Sequence, residues 1–383
     1  MTDKLQKLIE ANSEANRTKY ALEWKKQGKK VIGVLSQYVP EEVISAAGML
    51  PWRITPTWKE NISHARVYRP ETSNGYCTHV LESLLTGELD FLDGIILTDL
   101  DHEMLRLWDV MVYIKKPSFL HIMHTPFMNT EGAIRFVEND IKKMIRKLEE
   151  LGGVKITDEA LSLSIKTYNK MRTLLGRVYE LRKKDVPPLS GAEVLGLTTG
   201  AQVMPRDKFN QELESLLPVL EKRKTTLKTV HPRLLVASDY LDNPAYLNLV
   251  EEDCLVAMDD IDTASRYIIQ LVDTVLENPI HAIARRYLSH HGGPSMIYWD
   301  KQIEQIKNWV KEYRIDGVLS LTLKWDYPQQ YRIPILRQEL DKAGIPNTNF
   351  EREYHLVNMG QLRTRIGAFL EILNGKISIS SSK

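Results

Sequence analysis

The sequence predicts an α/β protein: two parallel-sheet units joined by a helical region. Three observations predict it. Asp93-Gly94-Ile95-Ile96-Leu97-Thr98 and Asp316-Gly317-Val318-Leu319-Ser320-Leu321 are nearly matching turns into short apolar runs. Each run is followed by a polar segment that opens a helix, so one construction is made twice. Around both, strand patterns alternate with helical ones at lengths that imply βαβ units. Between the two series, from about Gly132 to Lys224, the pattern changes to long charged helices. The expected organisation is an N-terminal helix over 1–30, a first α/β domain over 31–131, a helical region over 132–230, and a second α/β domain with a C-terminal helix over 231–383.

Taken in order, the N-terminal segment up to Lys30 is polar and amphipathic. Lys30–Ser36 reads as a buried strand, and Val39–Gly48 as a helix with Pro40 near its first turn and Gly48 at its end. Pro51–Thr55 is a second strand, Tyr76–Thr86 a helix, and the Asp93-Gly94 run a third strand. A helix over Asp101–Tyr113 leads to a strand at Ser118–Met123. Within the helical region Ile134, Val137, Ile141, Met144, Ile145 and Leu148 fall at helical spacing. The second series begins with a strand at Pro232–Ser238. It continues through a strand at Cys254–Met258, a long helical stretch, the Asp316-Gly317 strand, a helix to Gly344, a strand at Ile345–Phe350 and a helix at Gly360–Leu373.

Composition narrows the functional class. Lys+Arg 51 against Asp+Glu 50 leaves a formal charge of +1, so the chain has no global attraction to nucleic acid or to a membrane surface. No apolar run approaches the roughly 20 residues of a membrane span, and no secretory leader pattern opens the sequence. Two cysteines, Cys77 and Cys254, argue against a disulfide scaffold and fit a reducing cytoplasm.

Ligands of open parallel sheets gather at the carboxyl ends of the strands, so Thr98–His102 and Lys324–Pro328 are where chemistry is expected. Cys77 stands at the predicted start of a helix, where unpaired N–H groups favour a thiolate, and from position alone it reads equally as functional or structural. Cys254 opens an apolar strand and reads as a small core residue. Asp259, Asp260 and Asp262 follow that strand as a possible metal cluster or as helix-entry caps, with Arg266 as a natural ion partner. His290-His291-Gly292-Gly293-Pro294 reads as a loop. His121 and His124, at a strand end, are placed for a substrate pocket, although a lone histidine is more often structural. Arg363 and Arg365 at the start of the last helix oppose its dipole unless an anion or an internal carboxylate compensates. No dinucleotide fingerprint, P-loop, nucleophile elbow or zincin motif occurs at a fitting place.

Five segments in register, Val39–Pro51, Leu89–Ile96, Asp259–Tyr267, Tyr313–Val318 and Gly360–Leu370, together resemble the benzoyl-CoA reductase and 2-hydroxyacyl-CoA dehydratase family, in its benzoyl-CoA-reductase-like branch. The resemblance spans nearly the whole chain. It implies two Rossmann-like domains with helical additions, in a heteromeric complex that binds an acyl-CoA thioester. It also implies a [4Fe-4S] cluster held by three cysteines at the domain interface, fed with low-potential electrons by an ATP-dependent iron-sulfur activator protein.

The chain departs from that pattern. Cys77 matches the first family cysteine, but Leu100 and Trp325 stand where the second and third would fall. A cubane cluster needs three or four thiolates, so the expectation is a cluster-poor subunit beside a homologous cluster-bearing partner. A non-catalytic scaffold that shapes the acyl-CoA pocket is the alternative, and a repurposed member with another ligand a third. Within this reading Ser36, Glu41 and Glu42 are the candidate catalytic residues. Trp325, His121, His124, Arg363 and Arg365 are the candidate substrate-binding residues, and Cys77 is the candidate metal ligand. Ser36, Glu41 or Glu42, Cys77 and Trp325 are expected to line an apolar cavity beside the inter-domain cleft.

Overall fold

The structure, a computed structural model, describes residues 2–224, 227, 229, 231–276, 278–289 and 293–381. The loop read at His290-His291-Gly292 lies outside the described residues. Two four-stranded sheets carry the fold. The first contains β1 (Val31–Val34), β2 (Leu50–Arg53), β3 (Gly94–Thr98) and β4 (Leu120–Met123), in the order β2-β1-β3-β4. The second contains β5 (Arg233–Ser238), β6 (Leu255–Ile261), β7 (Gly317–Leu323) and β8 (Asn347–Arg352), in the order β6-β5-β7-β8. Every pairing is parallel, and the second order repeats the first strand for strand. This is the doubly wound α/β architecture, Rossmann-like in each unit, that the sequence predicts.

The Asp-Gly pairs explain how each sheet is seeded. Asp93 Oδ2 accepts the Val31 N–H at 2.8 Å, and Asp316 Oδ2 accepts the Arg233 N–H at 2.7 Å. Each aspartate thereby ties the start of its own strand to the start of the neighbouring first strand. The glycine after it is required by close approach: a Cβ on Gly94 would lie 2.4 Å from Phe119 Cδ1, and one on Gly317 would lie 2.9 Å from Leu373 Cδ1. The six interior and inner-edge strands β1, β2, β3, β5, β6 and β7 are buried along their whole length, as sheets covered on both faces must be. Only β4 and β8, at the equivalent edges, alternate or open toward solvent.

Helices Glu131–Gly152, Asp158–Leu181, Gly191–Val203 and Arg206–Leu220 fill the region between the sheets. Their apolar stripes, including Ile165, Tyr168, Leu175, Leu197 and Leu213, are buried. One continuous core joins Val31 and Leu97 of the first sheet to Leu235 and Leu323 of the second through these helices. The helical region is therefore a shared wall and not an independent lobe.

Three local expectations differ from the structure. The N-terminal segment is not one helix: Thr2–Ile9 runs into a short 3-10 turn at Glu10–Asn12, and Lys19–Lys25 follows after a break. Asn16 donates its side-chain amide to Glu10 O and Ser13 Oγ there, the competition with the backbone that such residues offer. Next, β6 extends to Ile261, so Asp259 and Asp260 lie inside a strand and do not cap a helix entry. Third, the long helical stretch after it is three helices, Ser265–Ile268, Pro279–Ser289 and Trp299–Glu312. Among the described residues no helix is long and apolar enough to cross a membrane.

Candidate functional site

The order β2-β1-β3-β4 places a topological switch point between β1 and β3, and the repeat places another between β5 and β7. The two face one another. A small cavity of about 50 Å³ is lined by Leu35 and Ser36 after β1, Arg53 of β2, and Thr98, Leu100 and Asp101 at the end of β3. From the second unit come Asp239 and Tyr240 after β5, Asp262 after β6 and Asp326 after β7. The segment Gly293-Pro294-Ser295 closes one side.

Four carboxylates face this cavity, and their partners are unequal. Asp262 Oδ2 accepts Arg53 Nη2 at 3.0 Å and its Oδ1 accepts the Tyr240 N–H at 2.8 Å. Asp101 accepts the Tyr240 hydroxyl at 2.7 Å and the Glu103 N–H at 2.9 Å, capping the helix His102–Ile114. Asp239 pairs with Arg266, which also bonds Asp260 Oδ1 at 2.8 Å, and Asp260 Oδ2 accepts Arg332 Nη2 at 3.1 Å. Asp326 has only the Gln329 N–H, 3.4 Å from its Oδ1, at the start of the helix Tyr327–Lys342, among the described residues.

Burial pushes the Asp101 carboxyl above its usual range and Asp262 up to about 6 despite Arg53. In Asp260 burial is outweighed by Arg266 and Arg332, which hold it below that range.

The sequence candidates fall in different places. Ser36 lines the cavity, its Oγ accepting the Tyr38 N–H at 3.2 Å. Glu41 and Glu42 do not: both are buried on the helix Glu41–Ala46 and turned to the helical wall. Glu41 Oε2 accepts Arg206 Nη2 at 2.6 Å and the Tyr267 hydroxyl at 2.7 Å. Glu42 accepts Arg172 Nη2 at 2.6 Å and the Tyr287 hydroxyl at 2.8 Å.

Trp325 adopts a left-handed backbone (φ 63°) in the turn after β7 and is half-buried against Tyr327, ring centroids 6.5 Å apart, outside the cavity lining. The expected apolar cavity is thus an acidic one, because the next residue in each duplicated turn, Asp101 or Asp326, caps the following helix from inside the cleft.

His121 is buried with Lys147 Nζ 3.2 Å from Nδ1, and burial followed by Lys147 depresses its pKa to about 4. His124 lies on the outside, Nδ1 2.7 Å from Asp99 Oδ2. Neither touches the cavity. Arg363 forms a bidentate pair with Glu252 at 2.6 and 2.7 Å, the internal carboxylate that compensates the helix start. Arg365 stacks 4.5 Å over the Phe350 ring beside a separate groove that Lys324 and Arg352 also line. Asp259 is a core clamp, accepting Arg182 Nη1 at 2.8 Å and the Tyr179 hydroxyl at 2.8 Å.

Cys77, third in the helix Gly75–Leu85, is fully buried with its Sγ 4.0 Å from Met104 Sδ, one layer behind the cavity wall. Burial raises its pKa well above the usual thiol value, overriding both Arg69 and the helix start expected to favour a thiolate. Cys254 precedes β6 at the opposite end of a seven-residue strand, about 20 Å from the cleft by strand rise. Among the described residues no group of three or more His, Cys, Asp or Glu side chains converges to hold a metal. The chain's two cysteines, Cys77 and Cys254, are both buried and lie apart, so its thiols do not converge as the three or four a cubane cluster takes.

Sequence reading missed Arg53, Asp239 and Tyr240, and reached Asp326 only as part of the segment Lys324–Pro328, without a role. The signal that finds Asp326 is the duplication itself: Asp101 and Asp326 each stand three residues beyond the last residue of β3 and β7 and each caps the next helix.

Comparison with known proteins agrees with this architecture. The family model for 2-hydroxyglutaryl-CoA dehydratase, D-component, matches residues 36–373. Similar chains include the (R)-2-hydroxyglutaryl-CoA dehydratase subunit beta of Acidaminococcus fermentans, 28% identical, with 91% of this chain and 94% of that one covered. The (R)-phenyllactyl-CoA dehydratase beta subunit of Clostridium sporogenes is 25% identical over 94% and 96% of the two chains. A benzoyl-CoA reductase subunit from Thauera aromatica is 25% identical over 92% and 93%. The chain belongs to the 2-hydroxyglutaryl-CoA dehydratase D-component family.

Proposed function

We propose that this member of the D-component family is one subunit of a heteromeric complex that acts on an acyl-CoA thioester, by dehydration or by reduction. The observation that supports it is the end-to-end similarity to proteins named as subunits of such enzymes, over both sheet units and the cleft between them. In this reading the partner is a homologous subunit, and the pair works in the cytoplasm with an ATP-dependent iron-sulfur activator supplying low-potential electrons. Any [4Fe-4S] cluster of the assembled complex is held mainly by the partner. Cys77 is the one thiol this chain could lend, since Leu100 and Trp325 supply no ligand. What the chain itself contributes is a rigid half of the binding cleft.

The scarcity of thiols also favours a second reading, in which the chain is a scaffold that shapes the acyl-CoA pocket without taking part in the chemistry. Two measurements test the pair. Co-expression with a homologous, cysteine-bearing subunit of the same family, followed by affinity purification, is expected to yield a stoichiometric complex; a chain that purifies alone and binds no acyl-CoA refutes both readings. Iron and acid-labile sulfide, assayed in the chain alone and in the complex, then place the cluster. A stable four-iron cluster in the isolated chain would overturn the cluster-poor assignment. Loss of cluster from the complex on Cys77→Ala would make the site shared.

A further inference from the structure

Two buried carboxylate oxygens at the cavity have no hydrogen-bond partner among the described residues, Asp239 Oδ2 and Asp326 Oδ2. Both residues are more than nine-tenths buried, at 5% and 2% exposure. A buried carboxylate oxygen without a donor is strongly disfavoured, and such a group neutralises before it stays charged. Each of these two oxygens lacks a donor or a positive neighbour of its own. None is supplied by the neighbouring guanidiniums: Arg53 is bonded to Asp262, Arg266 to Asp239 and Asp260, and Arg332 to Asp260 and Gln302. Nor does the surrounding set of side chains converge as ligands for a metal ion, among the described residues. A proton is the remaining small positive charge that fits.

The two oxygens are not equivalent. Asp239 has a guanidinium partner, Arg266, whereas Asp326 has no cationic partner among the described residues and receives one long bond from a backbone N–H. The charged groups that act most strongly on Asp326 are Asp239 after β5, Asp101 after β3 and Asp262 after β6, all of one sign, while Arg53, which lines the same cavity, is bonded to Asp262. Its counterpart in the first unit, Asp101, is fully occupied by the Tyr240 hydroxyl and the Glu103 N–H. The duplication has therefore been resolved unequally, with one cap aspartate saturated and the other left with a bare oxygen in the cavity.

We propose that Asp326 holds a proton in the folded protein and forms with Asp239 a carboxyl–carboxylate pair, presenting one acidic O–H to a ligand oxygen that enters the cleft. Like charges held together in a low-dielectric site share protons in this way. Burial, and then the charge of Asp239, push the Asp326 carboxyl well above the usual carboxylate range, which accords with the geometry. The chemical class that the pair receives is a neutral acceptor oxygen, a carbonyl or a hydroxyl; an anionic carboxylate is repelled by Asp239, Asp101 and Asp262. That the acceptor is the carbonyl of an acyl thioester rests on the function proposed above. The presence of the proton does not.

The test is infrared spectroscopy of the full chain at neutral pH, reading the C=O stretch of a protonated carboxylic acid and its shift in deuterium oxide. Wild type is expected to show such a band, Asp326→Asn to lose it, and Asp101→Asn to keep it. In Asp239→Asn the neighbouring charge is gone, so the band should titrate away at lower pH than in wild type; this variant tests the pair even if Asp326→Asn folds poorly. Absence of the band in wild type, or its persistence in Asp326→Asn, overturns the proposal. Adding acetyl-CoA to the complex is expected to shift the band to lower frequency. A band that is present but unmoved refutes the thioester as acceptor and leaves subunit assembly to be judged by co-purification.

Discussion

Replacing Glu42 with glutamine separates a structural from a catalytic role for a residue the sequence nominates as catalytic. The exchange keeps shape and removes only the charge. Glu42 is fully buried, and its partner Arg172 is 2% exposed with Arg286 among the charges acting on it. The guanidinium would be left buried beside a second one without a counter-charge. Breaking a buried pair from one side costs about 3–5 kcal/mol, a large share of the roughly 5–15 kcal/mol that holds a domain folded. The Tyr287 hydroxyl keeps an acceptor in the amide, so its contribution of about 1 kcal/mol is retained.

Urea unfolding is the assay: the midpoint should fall markedly at unchanged slope. Glu42→Leu combined with Arg172→Met should recover most of the loss, since a packed apolar pair can replace a buried ion pair. The pH dependence carries the same signature. Burial raises the Glu42 pKa, but Arg172 and then Arg286 outweigh it and hold the folded value below the ordinary 4.5. The stabilisation is therefore present above 4.5 and lost as pH falls through the folded value, so the deficit of the glutamine variant should shrink in acid. A Glu42→Gln protein with the wild-type midpoint at neutral pH would refute the reasoning.

Three further outcomes are expected. Gly200→Ala places a Cβ 2.3 Å from Leu8 O, so it should detach the Thr2–Ile9 helix, seen as faster proteolytic cleavage near residue 12 with the rest of the chain intact. Both thiols are buried with raised pKa values, Cys77 chiefly by burial, so neither should react with a disulfide reagent in the native protein and both should react on unfolding; a fast-reacting Cys77 would contradict its placement. His121 should titrate near 4 by NMR, far below an exposed histidine, because burial and Lys147 disfavour its charged form; it then destabilises the fold progressively as pH drops from 6.5 toward that value.

The frame of the fold was legible because its signals are local. The Asp-Gly pairs, the β-strand runs and the helical spacing from Ile134 to Leu148 each reveal their element within a few residues. Asp259 and Asp260 were misplaced because a strand rarely carries adjacent aspartates. What permits them is charge brought from far along the chain: Arg182 for the first, Arg266 and Arg332 for the second. The same limit applies to the site. Asp101 and Asp326 each look like ordinary helix caps, and they are; their second role exists only because the two sheets turn the caps toward each other. Glu41 and Glu42 erred in the opposite direction, standing just after a strand end in sequence while their helix faces Arg172 and Arg206.

The bonds that cross the cleft also govern how it moves. Arg53–Asp262, Tyr240–Asp101 and Trp58–Asp242 join the first sheet unit to the second, at 3.0, 2.7 and 3.1 Å, and Tyr76 stacks on Tyr240 with centroids 4.7 Å apart. Units within a chain ordinarily swing apart with ease. Here a hinge opening must sever three bonds to charged groups at about 1.5–3 kcal/mol each, so the gaping form is populated by fewer than roughly one molecule in a thousand. Traffic into the cavity is then set by rotamer and loop displacement, on nanoseconds to microseconds, and not by separation of the two halves.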